Sequence, residues 1–216
     1  MSAPRRVAVL ASGAGSNLRA VLDACDAPGH PATVVLVLSN RRRCGALAIA
    51  RARGVAATSM PVADFGGDAT LRDRAMLDAL GAAAIELVVC AGYDRVLSDE
   101  FLAAFPNAIL NIHPSLLPAF GGGMHAVEDA LAAGVKVTGC TVHLLAAGAV
   151  DRGPIVLQAA VAVEQDDDVH SLHARIHEQE WRLLPEAIAL WATGRLRTDG
   201  SRVRILPPPR IPEGVG

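Results

Sequence analysis

Two stretches of this chain carry residue types able to handle a carbonyl carbon. In Ile109-Leu110-Asn111-Ile112-His113-Pro114-Ser115-Leu116-Leu117-Pro118 an apolar run delivers an amide and an imidazole two residues apart and then stops at a proline. On a strand, alternation turns Asn111 and His113 to one face, where two polar groups can grip a single oxygen as it becomes negative. Asp151 lies in Val150-Asp151-Arg152-Gly153-Pro154, a carboxylate in a Gly-Pro turn. Such an Asp ordinarily serves its own backbone, and it acquires chemical meaning only if the fold brings it to His113. A polar residue at a strand end can equally satisfy loop backbone, and a lone histidine can be structural.

A third candidate is Ser12-Gly13-Ala14-Gly15-Ser16-Asn17, between an apolar run and a helical pattern. Free N–H groups and the helix dipole attract a phosphate there. The spacing is neither G-x-G-x-x-G nor G-x-x-x-x-G-K, so a small terminal phosphate fits better than a dinucleotide or a Walker-type site. The alternative is a tight turn capped by Ser16 or Asn17. His173, His177 and Glu180 share one face of a long helix. Without H-E-x-x-H or a partner ligand, a polar face turned to a pocket or to solvent is expected rather than a metal site. Asp166, Asp167 and Asp168 just before that helix are expected to cap it and complement its dipole.

These residues need a scaffold. The chain has 216 residues, 51% hydrophobic but only 3% aromatic, so the core must be Ala, Val, Leu and Ile, as in helices packed on a buried parallel sheet. One domain over residues 1–198 with a tail over 199–216 is expected. The net charge is −2 and the single lysine, Lys136, leaves arginine to carry the positive charge without a long basic block, which argues against nucleic-acid binding. Cys25, Cys44, Cys90 and Cys140 lack C-x-x-C spacing, so reduced thiols are expected and a zinc site is not. No signal-peptide core and no run of about 18 apolar residues is present, so a cytoplasmic protein without membrane contact is expected.

Strands are predicted at residues 6–11, 32–39, 55–60, 85–91 and 108–112, with helices at 16–25, 44–53, 69–83 and 98–105 between them. This alternation predicts an α/β fold, a doubly wound, mostly parallel, Rossmann-like sheet with helices on both faces. Beyond it come a helix at 126–133, strands at 136–145 and 155–163, a long helix at 169–193 and a brief strand at 203–206, a part that admits antiparallel strands. The carboxyl end of a late strand in such a sheet is where ligands bind, which strengthens the case for Asn111 and His113.

Taken together, Ser12-Gly13-x-Gly15-Ser16-Asn17, Ala91-Gly92-Tyr93-x-Arg95-x-Leu97, Asn111-x-His113-Pro114-Ser115-Leu116-Leu117-Pro118, Lys136-x-Thr138-Gly139-x-Thr141-Val142-His143 and Asp151-x-Gly153-Pro154 resemble the glycinamide ribonucleotide formyltransferases. The resemblance implies transfer of formyl from 10-formyltetrahydrofolate, as cosubstrate, to the amino group of glycinamide ribonucleotide in purine biosynthesis, without a metal. It implies a catalytic trio of Asn111, His113 and Asp151, with Gly13, Gly15, Ser16 and Asn17 on the substrate phosphate. Glu180 would face the ribose hydroxyls and His177 the phosphate side. Arg95, Val96 and Leu97, with Asn111, would line the folate slot, and His143 would support the trio. Three departures from the usual pattern fall on the folate side: Asp94 stands where methionine is common, and the loops at 119–125 and 146–150 are each one residue longer. The expected partners are the two small molecules, with a homodimer allowed for. The rivals are a formyltransferase with another acceptor or a water-using deformylase, for whose extra domains the chain has no room, a noncatalytic folate- or nucleotide-binding module, and a nicotinamide-dependent dehydrogenase.

Overall fold

In a computed structural model that describes residues 3–148 and 150–208, nine strands form one sheet in the order β3-β2-β1-β4-β5-β6-β7-β9-β8. The strands are β1 (Arg5–Leu10), β2 (Ala32–Ser39), β3 (Ala56–Ser59), β4 (Leu87–Cys90), β5 (Ile109–His113), β6 (Val137–Leu144), β7 (Ile155–Ala162), β8 (Leu196–Asp199) and β9 (Arg202–Ile205). The helices are α1 (Ser16–Cys25), α2 (Gly45–Ala52), α3 (Ala69–Ala82), α4 (Asp99–Ala104), α5 (Ala126–Ala132) and α6 (Val169–Ala192). Neighbours from β3 to β5 pair parallel, while β5–β6, β6–β7 and β8–β9 are antiparallel. This is the mixed α/β sheet that the pattern predicts.

Alternation along the central strands divides the core between two faces. Val7 and Val9 of β1 pack with Leu18, Val21, Leu47, Ile176 and Leu184 from α1, α2 and α6. Ala8 and Leu10 turn the other way, onto Met76, Leu80 and Phe101 from α3 and α4. With both faces covered by aliphatic residues, the central strands read as nearly unbroken apolar runs.

α6 begins as its acidic prelude predicts: Asp168 caps it in a reciprocal box with Ser171, and Asp167 pairs with Arg175. α1 starts without the side-chain cap that the alternative reading of its loop supplied. Its N-cap is Gly15 at φ 88°, and neither Ser16 nor Asn17 caps it with a side chain. Two further elements have no counterpart in the sequence pattern, a 3-10 turn at Val62–Phe65 and the short strand β8. β9 covers most of the brief strand predicted near the C-terminus, and the stretch 209–216 lies outside the described residues.

All four cysteines are free, and burial pushes the thiols of Cys25, Cys90 and Cys140 up to about 12. No helix among the described residues is long and apolar enough to cross a membrane.

Candidate active site

The strand order reverses between β1 and β4, and the crevice outside the carboxyl ends of strands at such a point is where ligands bind. A cavity of about 670 Å³ lies there. Its wall includes Asn17, Arg95, Val96, Leu97, Asn111, His113, Asp151, His177 and Glu180, drawn from regions spread over most of the sequence. Gly13, Gly15 and Ser16 form the loop beside it without lining it, and His143 stands behind it, fully buried.

β5 fixes the first two groups. Asn111 pairs with Cys90 of β4 and with His143 of β6, and His113 with Thr141 of β6, so both side chains leave the same face, as the spacing predicts. The Asn111 amide nitrogen lies 3.0 Å from His143 Nε2. His143 Nδ1 lies 3.2 Å from the Leu144 carbonyl, which can only accept, so the proton sits on Nδ1 and Nε2 accepts from Asn111. Burial holds the His143 pKa below its ordinary value, against the opposing pull of the Asp151 charge and the Leu144 carbonyl. A neutral His143 therefore sets which way the Asn111 amide faces.

Asp151 arrives from the β6–β7 loop. Its Oδ2 is 3.5 Å from His113 Nδ1 and its Oδ1 is 3.7 Å from His143 Nε2, and it accepts a 2.8 Å hydrogen bond from the Gly122 N–H. Behind it, Gly153 passes so close to β6 that an added Cβ would lie 1.7 Å from the Leu144 carbonyl oxygen. Only glycine lets the loop fold back onto the sheet here. The other ring nitrogen of His113, Nε2, meets the Phe120 carbonyl at 2.9 Å. Acceptors thus face both nitrogens, an arrangement suited to a ring that carries a proton on each.

At the other end, the uncapped N-terminus of α1 leaves its first N–H groups free. Gly15 is needed both for its positive φ and because a Cβ would lie 2.7 Å from Ala46 Cα of α2. Asn17 donates to buried Glu180 at 2.8 Å, and Glu180 also takes a 2.8 Å contact from His177 Nδ1. The Asn17 side-chain amide oxygen is buried with no partner among the described residues, an acceptor left for a ligand. The His173 and His177 rings lie tilted against each other with centroids 4.1 Å apart. The polar face of α6 is turned to the cavity, and no group of three or more metal-ligating side chains occurs among the described residues.

The loop between β4 and α4 is tied at both ends. The buried pair Arg72–Asp73 receives the Ser98 N–H at 2.7 Å, and the Asp94 N–H donates to Ser12 Oγ at 3.0 Å. Asp94, expected on the folate side, lines the cavity, and its carboxylate pairs with Asn40 and Arg41. The Arg72–Asp73 anchor and the Phe120 carbonyl have no signal in the sequence beyond a charged pair in a helix and a glycine-rich loop. The longer loop at 119–125 bears Phe120 and Gly122, whereas the one at 146–150 contains Ala149, outside the described residues.

The family model for formyl transferases matches residues 5–188. The chain belongs to the formyl transferase family. This formyl transferase is 47% identical over 211 residues to a phosphoribosylglycinamide formyltransferase of Mycobacterium tuberculosis, covering 94% of this chain and 95% of the relative. The crystal structure of glycinamide ribonucleotide transformylase 1 from Symbiobacterium toebii superposes with a TM-score of 0.91 at 50% identity, over 94% of this chain and 95% of that one. A phosphoribosylglycinamide formyltransferase from Brucella melitensis gives 0.83 at 42% identity, over 91% of this chain and 100% of that one.

Proposed function

We infer that this formyl transferase moves the formyl group of 10-formyltetrahydrofolate onto the amino group of glycinamide ribonucleotide, a step of purine biosynthesis. The observation that carries the reading is a single cavity with two unlike ends. One end has Asn111, His113 and Asp151 within reach of one reacting centre, and the other has an open helix N-terminus beside Asn17, His177 and Glu180. That pairing suits an acceptor with a phosphate at one end and a nucleophilic amine at the other. Apolar Val96, Leu97, Leu102, Ile112 and Met124 along the wall suit a flat, largely apolar ring system, so the residues present fit a formyl folate.

In this reading the amine nitrogen attacks the formyl carbon, the carbonyl electrons collect on oxygen, and the bond from carbon to folate N10 then breaks as the carbonyl re-forms. The Asn111 amide, aimed by His143, and the Nε2–H of protonated His113 stabilise the oxyanion. Asp151 stabilises the His113 cation and orients a water that carries the proton from the amine to N10. The Phe120 carbonyl holds the hydrogen bond that the oxyanion requires, so the glycine-rich loop releases it when substrate binds. Gly13, Gly15, Ser16 and Asn17 hold the phosphate, Glu180 the ribose hydroxyls and His177 the phosphate side, while Arg95, Val96 and Leu97 flank the pterin. In this reading the enzyme is cytoplasmic, and its single domain extends past the expected boundary at residue 198 to take in β9 of the same sheet.

The test is a formyl-transfer assay with both substrates beside one with formate and ATP. Turnover is expected with the formyl folate, and turnover only with formate and ATP overturns the reading.

A further inference from the structure

At the rim of the cavity, whose wall includes Asp94, the crest of the sheet holds a closed ring of polar contacts that no step of the reaction uses. Ser12 follows β1, Asn40 follows β2 and Asp94 follows β4, so three neighbouring strands each deliver one side chain to the same spot. The Asp94 N–H donates to Ser12 Oγ at 3.0 Å, the Ser12 hydroxyl donates to Asn40 Oδ1 at 2.6 Å, and the Asn40 amide returns to Asp94 Oδ1 at 2.7 Å. Arg41 pairs with the second carboxylate oxygen, and Arg95 Nε lies 3.5 Å from the first. Ser12 and Asn40 are buried, where an opened hydrogen bond is costly to leave unmade. A second tie runs from the Ser12 N–H to the Gly92 carbonyl at 3.0 Å.

The ring stands where both halves of the cavity begin. Ser12 immediately precedes the Gly13–Asn17 loop and Asp94 immediately precedes Arg95. We propose that Asp94 is a positioning residue which, through Asn40 and Ser12, holds the phosphate loop and the pterin-side loop at a fixed separation. The assignment of those loops to phosphate and pterin rests on the formyl-transfer reading. A carboxylate suits the position because it offers one oxygen to Asn40 and another to Arg41, whereas a thioether would leave the buried Asn40 amide without a partner. Burial by itself favours the neutral acid, but Arg41 and Asn40 outweigh it and hold the Asp94 carboxyl below the usual carboxylate range, so the ring is closed at neutral pH.

The experiment compares Asp94→Ala, Asn40→Ala and their combination by steady-state kinetics and by amide hydrogen exchange. Each single change is expected to raise KM for the ribonucleotide and for the folate together, by about tenfold, with kcat altered less than about threefold. The double variant should be no worse than the worse single one, because both changes open one ring. Asp94→Asn keeps an oxygen toward Asn40 and should recover most of the loss, which a general effect of lowered stability would not produce. Amide exchange at residues 13–16 and 95–97 should quicken together in Asp94→Ala by about tenfold. Exchange needs no substrate, so it judges the ring even where the wild-type chain fails to transfer formyl, a failure that sinks the functional reading alone. Faster exchange confined to residues 95–97, a KM change for one substrate only, or additive effects of the two single changes overturns the proposal. Should Asp94→Ala fail to fold, Asn40→Ala carries the same readouts.

Discussion

The groups that the proposed mechanism assigns to the reacting centre are held by two different means. Asn111 and His113 are rungs of β5, paired to β6 and, at Asn111, to β4 as well, and no ligand is needed to place them. Asp151 stands on a loop at φ 53°, held by the Gly122 N–H and by its approach to two histidine rings. Its neighbour in function, the Phe120 carbonyl, is on a loop too and also has a positive φ. In the proposed mechanism the oxyanion donors are thus built into the sheet, where geometry is stiff, and the groups that would exchange partners sit on segments able to move. If this division is right, damage to the strand-held half should appear in the chemical step with binding preserved, and damage to the loop-held half should appear as misplacement.

The sharpest break is on the strand. His113→Ala removes a donor realised in the transition state, and kcat is expected to fall by about 10²–10³ while the affinity for ribonucleotide, measured by titration calorimetry, stays nearly unchanged. Loss of ribonucleotide affinity with turnover intact would reassign His113 from catalysis to binding. The next break is on the loop. In Gly153→Ala the new Cβ would start 1.7 Å from the Leu144 oxygen, so the segment must lift and carry Asp151 with it. A displacement of about 1 Å can cost about 10² in rate, with the melting temperature lowered as well. A crystal structure of the variant with Asp151 unmoved, together with a large loss of rate, would show that the loop is not what places the carboxylate.

The same division explains what could be read from the sequence. Periodicity is local, so α1 and β2 are bounded as the pattern predicts, and the two-residue spacing of Asn111 and His113 puts them on one face before any fold is known. β8 escaped because Leu196-Arg197-Thr198-Asp199 has no apolar run and exists through its pairing with β9. The partners of Asp151 cannot be read locally either: Gly122 is 29 residues away, and only the resemblance to a family joined the carboxylate to His113. The ring at Asp94 spans 82 residues to Ser12 and 54 to Asn40, and its one visible sign was an unexpected carboxylate. In α1 the sequence offered Ser16 and Asn17 as caps, yet Gly15 takes the position in a left-handed conformation, which leaves the N–H groups open for an anion.

The smallest expected effect lies behind the strand-held half and tests whether that half is as rigid as the sheet suggests. His143 accepts from the Asn111 amide only while its Nε2 is unprotonated. Burial depresses its pKa below the ordinary value of about 6.5, so the folded chain binds this proton less readily than the unfolded one. The stability from a neutral His143 is therefore fully present above about pH 6.5 and is lost as pH falls through the lower, folded value. In that acid window the ring gains an Nε2 proton, the Asn111 amide loses its acceptor, and kcat should decline with the melting temperature. His143→Ala leaves Asn111 in place on β5 but frees its amide to rotate, and kcat at neutral pH is expected to fall about tenfold, the scale of one lost hydrogen bond. The variant should also lack the part of the acid decline that belongs to this ring, so comparing the two pH profiles isolates it. Parallel profiles in the two proteins would mean that β5 alone aims the amide and that the histidine behind it only fills space.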